Sequence, residues 1–103
     1  MITQEISYRT KGHLFGDGNA RGVLVFLTEE ELRTLKKLDT YYKNKGLTET
    51  MLEKILERTK PATKVNPDYP EGKYTSMIYQ NEYPTAVDKM LLYMTMIGDI
   101  VRI

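Results

Sequence analysis

The feature that most constrains this chain is the abrupt change from a strand pattern to a helix pattern after Leu27. Residues 23–27 are apolar on both faces, which is typical of the inner strand of a sheet. Thr28 can cap a helix while Glu31 reaches back to it, and Leu27 can pack on Leu32 across the cap. The sequence therefore predicts an inner strand that leads directly into a helix.

Two helices that fold back on each other are predicted next. The first covers 29–45, with three glutamates at its start and lysines near its end, and Gly46 stops it. The second covers about 49–59 and ends before Pro61. Their apolar positions recur at helical spacing: Leu32, Leu35, Leu38 and Tyr42 in the first, and Met51, Leu52, Ile55 and Leu56 in the second. This pattern predicts a tight αα-hairpin.

The remaining segments complete an α+β domain. Residues 2–10 alternate between apolar and polar, which predicts a half-buried strand, and the turn residues of 16–22 join it to the inner strand as a hairpin. Three prolines make 60–72 an irregular connection, and 73–80 are predicted to be a third strand. We expect a small, mainly antiparallel three-stranded sheet in the order ββ-αα-β-α, packed with the αα-hairpin and a last helix. One domain covers 1–103.

The last helix is apolar almost all round, with its strongest stripe predicted at Val87, Met90, Leu91, Met94, Ile97, Gly98 and Val101. Such a helix is covered on more than one side, either within the domain or by a second copy of the chain. A homodimer through this helix is therefore one expectation. Residues 99–103 are β-branched enough to form a short strand instead. The expected core is Ile6, Tyr8, Val23, Val25, Leu27, Leu32, Leu35, Leu38, Leu52, Ile55, Leu56, Ile78, Val87, Leu91, Met94 and Ile97.

Composition excludes several classes of function. The chain has no cysteine, which rules out disulfides, cysteine-based zinc sites and cysteine nucleophiles, and favours the cytoplasm. The N-terminal residues lack the basic and apolar regions of a signal peptide, and 90–101 are too short and too polar for a membrane span. We expect a soluble protein with no membrane association, no cofactor and no metal.

The glycine-rich turn and the single histidine do not make a convincing active site. The turn lacks the third glycine of a dinucleotide motif, where Arg21 stands, and Arg21 and Thr28 occupy ligand positions of a calcium loop. His13 and Asp17 could serve as acid and base, yet no serine is placed as a nucleophile. A small nuclease that uses His13 is the least favoured hypothesis, and we predict that the chain is not an enzyme.

The clearest signal for nucleic acid is a basic segment. Residues 33–64 carry nine basic side chains against four acidic ones, and lysines and tyrosines are interleaved in 33–45. Such a segment suits phosphate contact and base stacking. The alternative prediction is therefore a nucleic-acid-binding regulator that uses the basic helix 33–45 and residues 58–64. Its candidate residues are Lys36, Lys37, Tyr41, Lys43, Lys45, Arg58 and Lys60. The carboxylates Glu49, Glu53 and Glu57 would repel phosphates from the second helix.

The favoured prediction is a binding protein that occupies the surface of another protein. Tyrosines cluster in and around the proline-rich connection and the third strand, and tyrosine is enriched at protein interfaces. An edge strand could also recruit a partner by strand addition. The candidate partner-binding residues are Tyr69, Tyr74, Tyr79, Tyr83, Tyr93 and Met96. An adaptor, an inhibitor or an accessory factor fits this description, and the short length with many Lys, Tyr and Thr residues suggests a phage or mobile element.

Overall fold

The computed structural model describes residues 1–9 and 19–101, and this part of the chain forms four strands and three α-helices. In chain order they are β1 (Ile2–Arg9), β2 (Asn19–Leu27), α1 (Glu29–Asn44), α2 (Thr50–Arg58), β3 (Lys60–Pro61), β4 (Tyr74–Tyr79), a short 3-10 turn (Gln80–Glu82) and α3 (Thr85–Val101). His13, Asp17 and residues 16–18 of the predicted turn fall in the segment 10–18, outside the described residues. Residues 19–22, predicted as the rest of that turn, belong instead to β2 and pair with β1. The side chains of Tyr8 and Ile97, expected in the core, also lie outside them.

The sheet is antiparallel throughout, in the order β1-β2-β4-β3. β2 lies between β1 and β4: Gly22 pairs with Ile6 on one side and with Tyr79 on the other. The α+β class and the order ββ-αα-β-α are confirmed. One strand is added to the expected three, because Lys60–Pro61 pairs with Tyr74 and Thr75 at the far edge of β4.

Pro61 is compatible with this added strand because its nitrogen points away from β4. The Ala62 N–H donates to the Lys73 carbonyl at 2.9 Å, so Ala62 turns its main-chain groups toward β4. Main-chain direction alternates along a strand, so Lys60 also faces β4 and Pro61 faces away from it. The missing N–H of Pro61 therefore costs the sheet no hydrogen bond.

The αα-hairpin forms as predicted. The Glu31 N–H donates to Thr28 Oγ1 at 3.0 Å, and the Thr28 N–H donates to Glu31 Oε1 at 2.9 Å, which completes the capping box. Gly46 ends α1 with a φ of 72°, a conformation that favours glycine. The helices pack on one face of β2 and β4. The predicted core residues that are buried there are Val23, Val25, Leu27, Leu32, Leu35, Leu38, Leu52, Ile55 and Ile78.

The last helix is turned from the predicted orientation. α3 buries Ala86, Met90 and Tyr93, whereas Leu91 and Leu92 are each 54% exposed. The prediction that Leu91 belongs to the core is therefore wrong. A helix that is apolar almost all round does not fix its buried face by its pattern. The alternative of a strand from residue 99 is also wrong, because the helix continues to Val101.

The opposite face of the sheet is covered in part by the connection between β3 and β4. A Cβ atom added to Gly72 would lie 3.0 Å from Phe26 Cβ and 2.5 Å from Tyr69 Cδ2, so only glycine lets the main chain approach so closely. The Tyr69 hydroxyl donates to Glu31 Oε1 at 2.7 Å, and Asn66 Nδ2 donates to Gln4 Oε1 at 3.5 Å. The connection is thus fastened to β1, β2 and the start of α1.

Candidate functional site

The outer edge of β4 is closed by side chains and by β3. Beyond the two residues of β3, the Met77 carbonyl accepts a hydrogen bond from Arg58 Nη1 at 3.2 Å. The next outward residue is Tyr79, whose N–H donates to Glu82 Oε1 at 3.0 Å. The main-chain groups that could pair with another strand are therefore largely occupied at this edge.

An ion pair holds that closure in place. Arg58 donates to both carboxylate oxygens of Glu82, at 2.6 and 3.2 Å, and its guanidinium lies 4.4 Å from the centre of the Tyr79 ring. The Arg58 hydrogen bond, against an opposing effect of burial, keeps the pKa of Glu82 below its ordinary value of 4.5. The Glu82 hydrogen bond in turn raises the pKa of Arg58. This pair joins the end of α2 to the end of β4.

The outer edge of β1 differs. The Met77 carbonyl points away from β2, so Val23, Val25 and Leu27 of β2 face β4 and the residues between them face β1. Their partners Ile2, Gln4 and Ile6 turn inward, which leaves the main-chain groups of Thr3, Glu5 and Ser7 pointing outward. Within the part of the chain that the structure describes, no residue pairs with this edge.

A cleft lies beside the open edge, on the helix side of the sheet. The side chains of Thr3, Glu5 and Ser7 are exposed there, because the helices lie over β2 and β4 instead. The cleft has a volume of about 460 Å³. Glu5, Ser7 and Arg21 line one part of it, and Gln80 and Tyr83 line another. An open row of main-chain groups thus lies beside a pocket with a mixed polar and aromatic lining.

Four of the six predicted partner-binding residues serve the fold. Tyr93 is only 1% exposed, so it cannot contact a partner in this structure. Tyr69 is held by Glu31 at the start of α1, and burial together with that carboxylate raises the pKa of Tyr69. Tyr74 is packed against the core, and Met96 accepts a hydrogen bond from the Tyr42 hydroxyl at 3.8 Å.

The other two predicted residues lie at the surface. Tyr79 and Tyr83 are 41% and 46% exposed. Tyr79 ends β4, and Tyr83 directly follows the 3-10 turn after it. Tyr79 is held beneath Arg58, whereas Tyr83 lines the cleft beside β1. Tyr83 is therefore the predicted residue that the structure brings to the open edge.

Three of the predicted nucleic-acid residues make contacts within the fold. Arg58 is committed to Glu82, Lys43 pairs with Asp39 at 2.8 Å, and Lys45 lies 5.3 Å from the centre of the half-buried Tyr41 ring. Lys60 is exposed on β3.

Lys36 and Lys37 are exposed and, with Arg33 and Thr40, line a shallow depression on α1. These three cations have no ion pair among the described residues. They are a part of the predicted basic surface that a phosphate chain could reach.

One member of the carboxylate row Glu49, Glu53 and Glu57 forms an ion pair within the fold. Glu49 pairs with Lys89 of α3 at 3.1 Å. Burial would raise the pKa of Glu49, yet the Lys89 hydrogen bond and the charge of Lys89 outweigh it and lower the value. Burial, with the charge of Glu49, raises the pKa of Tyr93 beneath them. No group of three His, Asp or Glu side chains that could hold a metal ion occurs in the described ranges 1–9 and 19–101.

The sequence prediction missed Thr3, Glu5, Ser7 and Arg21. Their alternation with apolar residues already placed Thr3, Glu5 and Ser7 on the polar face of the first strand. What was missing was the strand order, because only a central β2 makes β1 an edge strand.

Comparison with known proteins reveals no match of any of three kinds. No protein-family model matches the chain, no curated protein matches it in sequence, and no solved structure matches its fold. Over the described residues, none of the helices is long and apolar enough to cross a membrane.

Proposed function

We propose that this chain is a non-enzymatic binding protein of the cell interior, which takes an extended segment of a protein onto the outer edge of β1. The observation that supports this proposal is the difference between the two edges of the sheet. β3, Arg58 and Glu82 close one edge, whereas Thr3, Glu5 and Ser7 leave the other open. A role as an adaptor, an inhibitor or an accessory factor requires no more than such a surface.

The chemistry of the open edge favours a protein partner. N–H donors and carbonyl acceptors alternate along it with the spacing of another strand, so an extended chain can satisfy them in order. Each main-chain hydrogen bond contributes about 0.5–1.5 kcal/mol, and three outward residues offer six such groups. The cleft with Tyr83 lies next to this row, where it can select among side chains of the added strand.

A proline at position 5 tests the proposal directly. Because the Glu5 N–H points outward, Glu5→Pro removes a donor from the open edge and none from the β1–β2 ladder. We expect its free energy of unfolding to stay within about 1 kcal/mol of the wild type. Gln4→Pro is the matched variant, because it removes an N–H donor from the β1–β2 ladder. Its free energy of unfolding should fall by about 3 kcal/mol or more.

Binding is then read out with the same variants. We expect the wild type and Glu5→Ala to capture a protein from a lysate, and folded Glu5→Pro not to capture it. The captured protein should slow the amide exchange of Thr3, Glu5 and Ser7. Capture that Glu5→Pro leaves intact, or protection at other amides alone, would disprove strand addition at β1.

The basic face of α1 supports a second candidate function. Arg33, Lys36 and Lys37 are exposed without an ion pair among the described residues, which suits a phosphate chain. A nucleic-acid-binding regulator predicts that a labelled single-stranded oligonucleotide binds, that affinity falls steeply with salt, and that Lys36→Glu with Lys37→Glu abolishes binding. Binding that survives this double substitution would exclude this surface.

A further inference from the structure

We propose that the partner which fits the open edge of β1 is a second copy of this chain, paired antiparallel with Ile6 on the two-fold axis. This inference rests on the proposed role of the β1 edge. It joins two four-stranded sheets into one continuous sheet of two protomers, with β1 next to β1. Two features support it: the direction of the main-chain groups and the charges along the strand.

Main-chain direction limits the registers that two β1 strands can adopt. Only outward-facing residues form hydrogen-bonded pairs between copies, so Thr3, Glu5 and Ser7 of one copy lie opposite outward-facing residues of the other. Two antiparallel registers of this kind keep nearly the whole strand paired. In one, Glu5 lies opposite Glu5; in the other, Glu5 lies opposite Ser7 and Ile6 lies opposite Ile6.

Charge separates the two registers. Directly opposed like charges destabilise a strand pair, which disfavours the register that sets Glu5 against Glu5. In the register centred on Ile6, the neighbour of Glu5 across the new interface is Ser7, a small uncharged side chain. Ser7 in turn pairs with Arg21 on β2 of its own copy.

The Ile6 register therefore places opposite charges within reach of each other. Glu5 of one copy and Arg21 of the other stand on the same face, two strands apart, with Ser7 between them. Their Cα atoms are roughly 10 Å apart, since strands are spaced by about 4.8 Å. Two long side chains can meet over the small Ser7. The two-fold axis forms this pair twice, and both residues are exposed in the single chain.

The other face of the strand is complementary as well. The half-buried Ile6 meets its counterpart at the axis, and Gly22 lies beside each isoleucine on β2. The two apolar side chains would then cover each other. On the helix side, α1 and α2 sit over β2 and β4, so β1 of each copy remains accessible.

A pair of charge-reversal variants tests the inference by mixing. Glu5→Arg alone sets two arginines against each other across the interface, and Arg21→Glu alone sets two glutamates together. We expect light scattering to show a dimer for the wild type and at least tenfold weaker self-association for each variant. An equimolar mixture of the two variants should restore the dimer, because each cross-interface contact then joins opposite charges. This restoration also shows that both variants are folded.

Single cysteines test the register, since the chain has none of its own. Opposed Ile6 residues form a pair without main-chain hydrogen bonds, with Cα atoms about 4.5 Å apart, which a disulfide can bridge. We expect Ile6→Cys to cross-link under mild oxidation. Gln4→Cys is the control, because its two thiols stand roughly 13 Å apart along the strands. Cross-linking of Glu5→Cys in place of Ile6→Cys would overturn the register.

The remaining outcomes separate this inference from the proposed function. A wild-type monomer at the highest soluble concentration overturns the second copy as the partner. Strand addition itself survives that result if a captured protein protects the amides of Thr3, Glu5 and Ser7, and fails if no partner does. A dimer that persists in both charge variants but is lost in Leu91→Asp with Leu92→Asp lies at α3, and it overturns the inference.

Discussion

The two outer edges of the sheet carry the same kinds of main-chain groups. At one edge these groups have hydrogen-bond partners, and at the other they have no described partner. At β4, two residues of β3, the Arg58 guanidinium and the Glu82 carboxylate meet the groups that point outward. At β1, Thr3, Glu5 and Ser7 point outward with exposed side chains and no described partner.

This difference shows which edge the fold protects. Unpaired strand edges invite pairing with other chains, and proteins commonly cover them with loops, charges or prolines. β4 has all three forms of cover within a few residues, in the connection, the Arg58–Glu82 pair and Pro61. β1 carries a single glutamate near its middle, so any restraint on its pairing comes from charge and register.

The largest expected effect comes from opening the protected edge. Arg58→Ala leaves Glu82, whose side chain is 10% exposed, without its guanidinium partner and removes the donor to the Met77 carbonyl. We expect the free energy of unfolding to fall by about 2–4 kcal/mol in urea denaturation.

Lys54→Ala is the matched control for that variant. Lys54 Nζ lies 3.8 Å from the same carboxylate and is largely exposed. Its substitution should cost less than about 0.5 kcal/mol. Equal losses in Arg58→Ala and Lys54→Ala would show that the edge is not held by the Arg58–Glu82 pair.

Acid should weaken the protected edge. The pKa of Glu82 is lowered in the folded protein, so its contribution is complete above the ordinary value of 4.5 and is lost as pH falls through the folded value. As pH falls from 4.5 to the lower folded value, urea midpoints should fall less steeply for Glu82→Gln than for the wild type. Glu57→Gln, on the exposed side of α2, is the control. A Glu82→Gln profile as steep as the wild type would show that Glu82 does not contribute to the acid sensitivity.

The smallest effect is expected at Pro61. Its ring nitrogen points away from β4, so Pro61→Ala restores an N–H that the sheet does not use. The expected loss is about 0.4–1 kcal/mol, from the greater freedom of the unfolded chain. A gain in stability would mean that the new N–H donates a hydrogen bond to β4. The alternation of inward and outward main-chain groups along β3 and β4 would then be shifted by one residue. The outward assignment of Thr3, Glu5 and Ser7 would shift with it.

Features set by neighbouring residues were predictable from the sequence. Thr28 and Glu31 form their capping box because they are three residues apart, so the start of the helix brings their side chains and N–H groups together. Gly46 ends α1 for a similarly local reason. The αα-hairpin, the pairing of β1 with β2, and the class of the fold follow from such local patterns.

Features set by distant residues were not predictable. Arg58 was expected at a phosphate, yet it binds Glu82, which lies twenty-four positions further along the chain. Tyr93 was expected at a partner and is buried, because the nearly uniform apolar surface of α3 allows several orientations. The open edge likewise depends on strand order, which no local pattern determines.

The close passage of Gly72 over Phe26 has a consequence for anyone who wishes to insert a tag or a reporter domain into this chain. The connection 62–73 is long and rich in proline, so it looks like a natural place for an insertion, yet it has no room for even one methyl group at Gly72. The turn at Gly46 and Leu47 offers the better position. An added Cβ at Gly46 meets nothing within 4 Å, and Leu47 is 56% exposed. A graft there would leave both edges of the sheet untouched.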